Sequence, residues 1–220
     1  MDKNKIHTFN ESYKIKKFNG VKKIKFNNIS EIRGLIVNNI DKPFLKNQDN
    51  DETNLFVKLL EAREERVEVI NKLNHKFGKT IVCLRVNYPG LRKNNRKTII
   101  IVKELEKNLQ GSFKNSLLYN FYKVTYEGPI VLFVVNEPSQ KVKKDTINIE
   151  QNHPLGRLVD IDVYNESGEG ISRTELNLPN RKCFLCEKEA HICVRSKAHQ
   201  VEEIKKYINK TLQEFMRKEK

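Results

Sequence analysis

No stretch of this chain comes near the ~20 consecutive apolar residues that a membrane-spanning helix requires. The longest purely apolar run, Ile130–Val135, is strand-sized. The N-terminal segment MDKNKIHTFNESYKIKK is positively charged but has no apolar core, so no secretory signal is read there. A cytoplasmic location away from membranes is the expectation. Cysteine is scarce, with four in 220 residues. In a reducing compartment these are thiols or metal ligands rather than a disulfide framework. There is no internal repeat, and no low-complexity run beyond a Lys/Asn bias. Hydrophobic residues still make up 38% of the chain, which is enough for a core and excludes full disorder.

What is plentiful is positive charge. Forty-two basic residues against 28 acidic give a net +14. By segment the excess is +6 over residues 1–50, +6 over 51–150 and +2 over 151–220. It is therefore spread rather than gathered in one arm, and part of it reflects the Lys/Asn/Ile bias of an AT-rich coding sequence. A basic protein favours nucleic acid, a phosphorylated cofactor or an acidic protein as partner. Residues 1–50 form a basic N-terminal extension. There Lys14, Lys16, Lys17, Lys22, Lys23 and Lys25 interleave with Tyr13, Phe18 and Phe26. Such a stretch suits a nucleic-acid-binding arm, but a solvated extension with one or two short strands accounts for it more simply. Residues 51–220 are read as one folded domain.

Within that domain, Leu55, Leu59, Leu60, Val67, Ile70, Leu73 and Phe77 recur at helical spacing. They predict a helix over Thr53–Phe77 with Thr53 as N-cap and Gly78 as stop. Thr80–Tyr88 is β-branched and predicts a strand ended by Pro89-Gly90. A helix is expected over Arg96–Leu109, stopped by Gly111. Strands follow at Leu118–Tyr126 and Ile130–Val135, joined by Glu127-Gly128-Pro129. Then come a helix over Pro138–Ile149, a strand over Leu158–Tyr164, a tight turn at Ser167–Gly170 and an amphipathic helix over Val201–Met216. Adjacent strands with separate helices predict an α+β fold with a mixed or antiparallel sheet and flanking helices.

The most informative segment is His153-Pro154-Leu155-Gly156-Arg157-Leu158-Val159-Asp160-Ile161-Asp162-Val163. On a strand, side chains alternate between faces. Val159, Ile161 and Val163 then form an apolar face, and Leu158, Asp160 and Asp162 the other. Two carboxylates on one side, with Cα atoms roughly 6.5–7 Å apart, can converge on a hard divalent cation such as Mg²⁺. Arg157 stands beside them and could grip a phosphate bidentately. Gly156 would let a phosphate or backbone come close. A solvated strand face is the competing reading, although Asp is disfavoured in strands and two of them share this face.

Three further groups stand out. Asn87-Tyr88-Pro89-Gly90 precedes Arg92 and Lys93 and is either an ordinary turn or a loop approaching substrate. His153 could serve as a general base, but a capping role is the more common one for such a residue. Cys183, Cys186, Cys193 and His199 form C-x2-C-x6-C-x5-H, a ligand set for a closed tetrahedral zinc site, with His191 as a competing ligand. Buried thiols and C-x-x-C redox chemistry are the alternatives.

The segment His153–Val163 resembles the HPLGRL-x-D-x-D-V signature of the citrate lyase holo-acyl-carrier-protein synthases, the CitX family. In the same order along the chain, Glu61-Ala62-Arg63-Glu64-Glu65-Arg66 resembles the family's early helix and Asn87-Tyr88-Pro89-Gly90 its N-x-P-G loop. Ile171-Ser172-Arg173 resembles its (L/I)SR, and Arg181-x-Cys183-x-x-Cys186 with Cys193-x-Arg195-Ser196-x-x-His199 its C-terminal cysteine segment. The likeness covers about residues 51–210. Val159 replaces a usual aromatic residue and Tyr88 a common Ile; both departures are mild.

The resemblance implies a definite reaction. A 2′-(5″-phosphoribosyl)-3′-dephospho-CoA group would pass from its triphosphate precursor to a serine of the acyl-carrier (gamma) subunit of citrate lyase, releasing diphosphate. It also implies that residues 51–220 are the catalytic domain and that Asp160 and Asp162 hold Mg²⁺. Arg157 and Arg173 would bind the triphosphate, and Ser172, Asn87, Gly90, Gly156 and His153 would line the substrate site. By analogy, the paired carboxylates suggest a nucleotidyltransferase (polymerase-β)-like fold. Two rival readings are a related transferase serving the acyl-carrier subunit of malonate decarboxylase, and a basic nucleic-acid-binding protein with a zinc knuckle. Bare carboxylates repel phosphate, which counts against nucleic acid.

Overall fold

A computed structural model describes residues 51–218; the readings made on residues 1–50 lie outside them. Asp51 caps the first helix, α1 (Glu52–Phe77), by accepting the Thr53 N–H at 2.9 Å. The cap therefore lies two residues before the Thr53 expected from sequence. Gly78 ends α1 in the left-handed conformation, φ +56°, which glycine adopts without a Cβ penalty. The buried stripe of α1 is narrower than its hydrophobic pattern: Leu55, Leu59, Ala62 and Ile70 are covered, while Leu60 and Val67 are exposed.

After α1 come β1 (Thr80–Val86), α2 (Arg96–Ser112), β2 (Leu117–Thr125), β3 (Gly128–Val135), α3 (Ser139–Asn152), a 3₁₀ turn (Gly156–Leu158) and β4 (Val159–Tyr164). The chain ends with a 3₁₀ turn (Thr174–Leu176), α4 (Ala190–Arg195) and α5 (Val201–Lys218). Gly111 does not stop α2. Burial of Leu109 and Phe113 on either side outweighs the roughly 1 kcal/mol that a helical glycine costs. Asn95 and Thr98 start α2 with a reciprocal capping box. The short α4 inside the cysteine segment was not foreseen.

The four strands form one sheet in the order β2-β3-β1-β4, every neighbouring pair antiparallel. This is the α+β class expected, with the antiparallel of the two sheet options. Helix α1 covers one face, where Ile70 packs on Ile81, Cys83, Leu132 and Val134. Helices α2 and α3 lie against the sheet as well, α2 on β1 and β3, α3 on β4. The buried residues Val159, Ile161 and Val163 alternate with Asp160 and Asp162, as the strand period requires. Leu158 departs from expectation. It sits in the 3₁₀ turn ahead of the strand and is fully buried, not on the aspartate face.

Among the described strands β4 pairs only with β1, so its outer edge needs other partners. Charged side chains supply them. Arg181 Nη1 donates to the Val159 carbonyl at 2.8 Å, the Ile161 N–H donates to Glu150 Oε1 at 2.9 Å, and Lys143 Nζ donates to the Ile161 carbonyl at 3.3 Å. The Ile171 N–H completes the edge on the Val163 carbonyl. The strand that carries the paired aspartates is thus held by residues of α3 and the C-terminal segment.

Candidate active site

The strand register decides what meets the aspartates. Arg85 of β1 lies directly across from Asp160, and Cys83 across from Asp162. Alternation puts Arg85, Asp160 and Asp162 on one face. Arg85 Nη2 donates to Asp162 Oδ2 at 2.6 Å and Nη1 to Glu127 Oε1 at 3.0 Å. Burial works to lower the Arg85 pKa. The negative charges around it, Asp162 foremost, more than reverse this, so the guanidinium stays firmly charged.

Asp160 has a matching arrangement. Arg181 Nη1 donates to Asp160 Oδ1 at 2.6 Å, and Nη2 of the same guanidinium pairs with Glu150 Oε1. Glu150 also takes Arg173 Nη2 on its second oxygen at 2.5 Å. Each aspartate is therefore joined through an arginine to a buried glutamate, Asp162 to Glu127 and Asp160 to Glu150. The glutamate side chains are 4% and 3% exposed, and the aspartates 40% and 35%. The inner partners are fixed and the outer ones reach solvent.

Helix α1 adds cations. Arg66 Nε donates to Glu127 Oε2 at 2.8 Å, and Arg63 lies 3.8 Å from Oε1. The turn between β2 and β3 sets Glu127 in place, its N–H on Thr125 Oγ1 at 3.1 Å. Lys93 donates to the Tyr88 carbonyl. Its pKa is lowered, first by burial and then by Arg63, while Glu127, Arg85 and Asp160 also act on it electrostatically. Cations outnumber anions around the aspartates, which suits a polyanionic ligand together with a cation held by the carboxylates.

The sequence-predicted residues divide. Asp160 and Asp162 lie on one face of β4, as the alternation requires, each bound to its own arginine. The Asn87–Gly90 loop adjoins them, since the Asn87 N–H donates to the Leu158 carbonyl at 2.8 Å. Asn87 and Gly90 are exposed, and Gly90 has φ +78°. Arg157 was expected beside the aspartates with its fork free for phosphate. Instead its Nη2 donates to the carbonyls of Lys182 and Cys183, at 2.7 and 3.1 Å, and fastens the cysteine loop. The close approach at Gly156 is to the protein's own backbone. A Cβ there would lie 2.4 Å from the Ile149 carbonyl oxygen, so the C-terminal end of α3 fills the space a phosphate would need. His153 caps α3, its Nδ1 accepting the Leu155 N–H at 3.0 Å and its ring resting near Phe215. Ser172 Oγ donates to Glu175 Oε1 at 2.7 Å just ahead of the 3₁₀ turn, while Arg173 is held by Glu150.

Sequence reasoning gave no site role to Glu150 or Arg85, noted Glu127 only as a turn residue and Lys93 only as following the Asn87–Gly90 loop, and noted Arg181 only as part of a motif. The only local signal for Glu150 was a charged residue on the apolar side of a helix.

The cysteine segment also closes up. Ligand atoms of Cys183, Cys186, Cys193 and His199 all lie within 4.8 Å of one another. Cys186 Sγ is 3.5 Å from Cys193 Sγ, near the ~3.8 Å between sulfurs in a tetrahedral site with Zn–S bonds of about 2.3 Å. His199 Nε2 is buried without a hydrogen-bond partner among the described residues. The set can hold a metal ion, and His191, whose Nδ1 lies 3.3 Å from Glu189 Oε2, is not part of it. Cys83, by contrast, is a core thiol, pushed up to about 12 by burial and chemically inert.

The antiparallel sheet presents paired aspartates among anchored arginines, an arrangement that can take a phosphate-bearing group. The model of the family CitX, apo-citrate lyase phosphoribosyl-dephospho-CoA transferase, matches residues 55–215, and the chain belongs to that family. A probable apo-citrate lyase phosphoribosyl-dephospho-CoA transferase of Streptococcus pyogenes serotype M18 (strain MGAS8232) is 32% identical over 169 residues, covering 73% of this chain and 86% of that one. One from Vibrio cholerae serotype O1 (strain ATCC 39541 / Classical Ogawa 395 / O395) is 34% identical over 149 residues, 66% and 83% respectively. Protein CitXG of Haemophilus influenzae (strain ATCC 51907 / DSM 11121 / KW20 / Rd) is 33% identical over 150 residues, 66% of this chain but 32% of that longer protein.

Proposed function

We propose that this chain is a transferase that loads phosphoribosyl-dephospho-CoA onto apo-citrate lyase. The observation that carries the reading is the family match over residues 55–215, which contains every residue of the arginine–aspartate site. The finer reading is as follows. The acceptor is a serine of the acyl-carrier (gamma) subunit, and the donor is the triphosphate precursor. The serine oxygen attacks the α-phosphorus, a phosphodiester forms, the bond to diphosphate breaks, and the hydroxyl proton is lost to solvent.

Asp160 and Asp162 would hold Mg²⁺, as a nucleotidyltransferase-type carboxylate pair. A bound divalent cation supplies neutralisation of phosphate charge and orients the reacting groups. The surrounding arginines supply fixed positive charge where the diphosphate leaves. Glu127 and Glu150 keep those guanidinium groups in place before substrate arrives, so little reorganisation is needed during reaction.

Zinc in the Cys183, Cys186, Cys193 and His199 set would be structural. It would pin the loop that begins at Arg181, whose backbone is tied to Ala190 and whose side chain holds Asp160. No helix among the described residues is long and apolar enough to cross a membrane, and the cytoplasm is the compartment proposed.

The test is intact-mass measurement of the apo acyl-carrier subunit of citrate lyase after incubation with the full chain, Mg²⁺ and the triphosphate donor. A mass gain equal to the prosthetic group is expected. An unchanged mass, or loading only of the malonate decarboxylase carrier run in parallel, refutes the assignment.

A further inference from the structure

We propose that Arg85 and Arg181 are the residues that grip the donor's triphosphate, and that Asp160 and Asp162 occupy their outer N–H groups until a divalent cation draws the carboxylates away. The proposal rests on the transferase reading and adds to it the phosphate-binding groups and an order of events.

Three observations carry it. First, each of the two arginines is anchored on other protein acceptors and gives one exchangeable hydrogen bond to an aspartate. Arg85 is fixed on Glu127, and Arg181 on Glu150 and the Val159 carbonyl. The bonds to Asp162 and Asp160 are 2.6 Å each; in Arg181 the nitrogen that holds Asp160, Nη1, also donates to the Val159 carbonyl. Second, Arg85 has a donor to spare. Its Nε is buried and has no hydrogen-bond partner among the described residues. A buried guanidinium N–H without an acceptor is costly, and a phosphate oxygen is a natural acceptor for it. Third, the arginines first expected to bind phosphate are already engaged, Arg157 with two carbonyls and Arg173 with Glu150.

The chemistry of exchange is favourable. A carboxylate that bonds an arginine cannot give the same lone pair to a cation. Mg²⁺ carries twice the charge of a guanidinium and prefers carboxylate and phosphate oxygens at short range. The guanidinium fork fits phosphate as well as it fits carboxylate. With the cation bound, the hydrogen bond that each arginine gave to its aspartate is free for the polyanion. Without it, the aspartates compete with phosphate for those hydrogen bonds and also repel it. The protein would therefore bind the triphosphate and the divalent cation together, and neither well alone.

Inorganic diphosphate, the leaving group, is the probe. Its binding to the full chain would be measured calorimetrically with and without Mg²⁺, for wild type, Asp162→Asn, Arg85→Lys and Arg181→Lys. Wild type should bind at least tenfold more tightly with Mg²⁺. Arg181→Lys, which keeps the charge but loses the fork, should weaken that binding about tenfold, and so should Arg85→Lys where it folds. The decisive arm is Asp162→Asn without metal. Freed of its competitor, Arg85 should bind diphosphate several-fold more tightly than in wild type, and Mg²⁺ should add little. Metal-free binding by Asp162→Asn that equals or falls below wild type overturns the proposal, as does undiminished binding by Arg181→Lys. Asp162 is half-exposed, so this variant should fold even if Arg85→Lys does not. Carrier loading with none of these binding effects would sink this proposal alone. The binding pattern without loading would sink the transferase assignment and leave the phosphate grip standing.

Discussion

Replacing Glu150 by Gln tests whether the aspartate strand is held by a buried charge. Glu150 sits in α3 with its side chain 3% exposed, and its two oxygens serve three partners: Arg181, Arg173 and the Ile161 N–H. In the variant the amide oxygen can still accept from Ile161 and Arg181. The amide nitrogen then faces Arg173, donor against donor. One charge-assisted hydrogen bond is lost, worth about 1.5–3 kcal/mol, and two guanidinium groups lose their shared counter-charge. Removing one member of a fully buried pair costs about 3–5 kcal/mol. The arginine side chains here are 14% and 24% exposed, so water recovers part of that. The expected loss is about 2–4 kcal/mol. For a folded domain of this size that is a drop in Tm of about 5–15 °C. Urea unfolding followed by circular dichroism reads the same loss as a lower midpoint with an unchanged slope. Transfer activity measured well below the new Tm should also fall, because Arg181 would no longer be aimed at Asp160. A midpoint within error of wild type would refute the view that Glu150 organises this strand.

Asp160→Asn and Asp162→Asn should each lower Mg²⁺-dependent diphosphate release by orders of magnitude. Stability should change by no more than about 1 kcal/mol, since both pairs are partly exposed; near-normal turnover in both variants would reject the metal assignment. Gly156→Ala should destabilise by about 1–3 kcal/mol, because its Cβ meets the Ile149 and Glu150 carbonyls of α3; thermal melting checks it, and an unchanged Tm would show that the contact is soft. Protein purified without chelator should contain about one zinc per chain by elemental analysis, and Cys183→Ser should melt lower; absent zinc with an unchanged Tm would favour plain buried thiols. A chain starting at Asp51 should load the carrier at a rate similar to the full chain, and a folded but inactive truncation would contradict this.

Much of the fold follows from local rules that the sequence states openly. The alternation over Val159–Val163 fixed which side of β4 carries the aspartates, and the motif order fixed the family. Helix and strand positions followed from period and turn residues to within a few positions. The exceptions were places where packing overrode propensity, as at Gly111. The roles of single residues were less legible. Gly156 and Arg157 look like a phosphate site when read along the chain, because their neighbours in sequence are the aspartates, and the family resemblance adds Arg173. In three dimensions they are committed to α3, the cysteine loop and Glu150.

Which charges face one another was decided only by tertiary structure. Arg85 lies 77 residues from Asp162 and 42 from Glu127. They meet because β1 is the strand between β3 and β4, and because the antiparallel register sets Arg85 opposite Asp160. A shift of one residue in that register would send Arg85 to the other face of the sheet. Side-chain period is a local property and can be read from sequence. Strand order and register come from burying the whole set of apolar faces at once, and no segment carries that information alone.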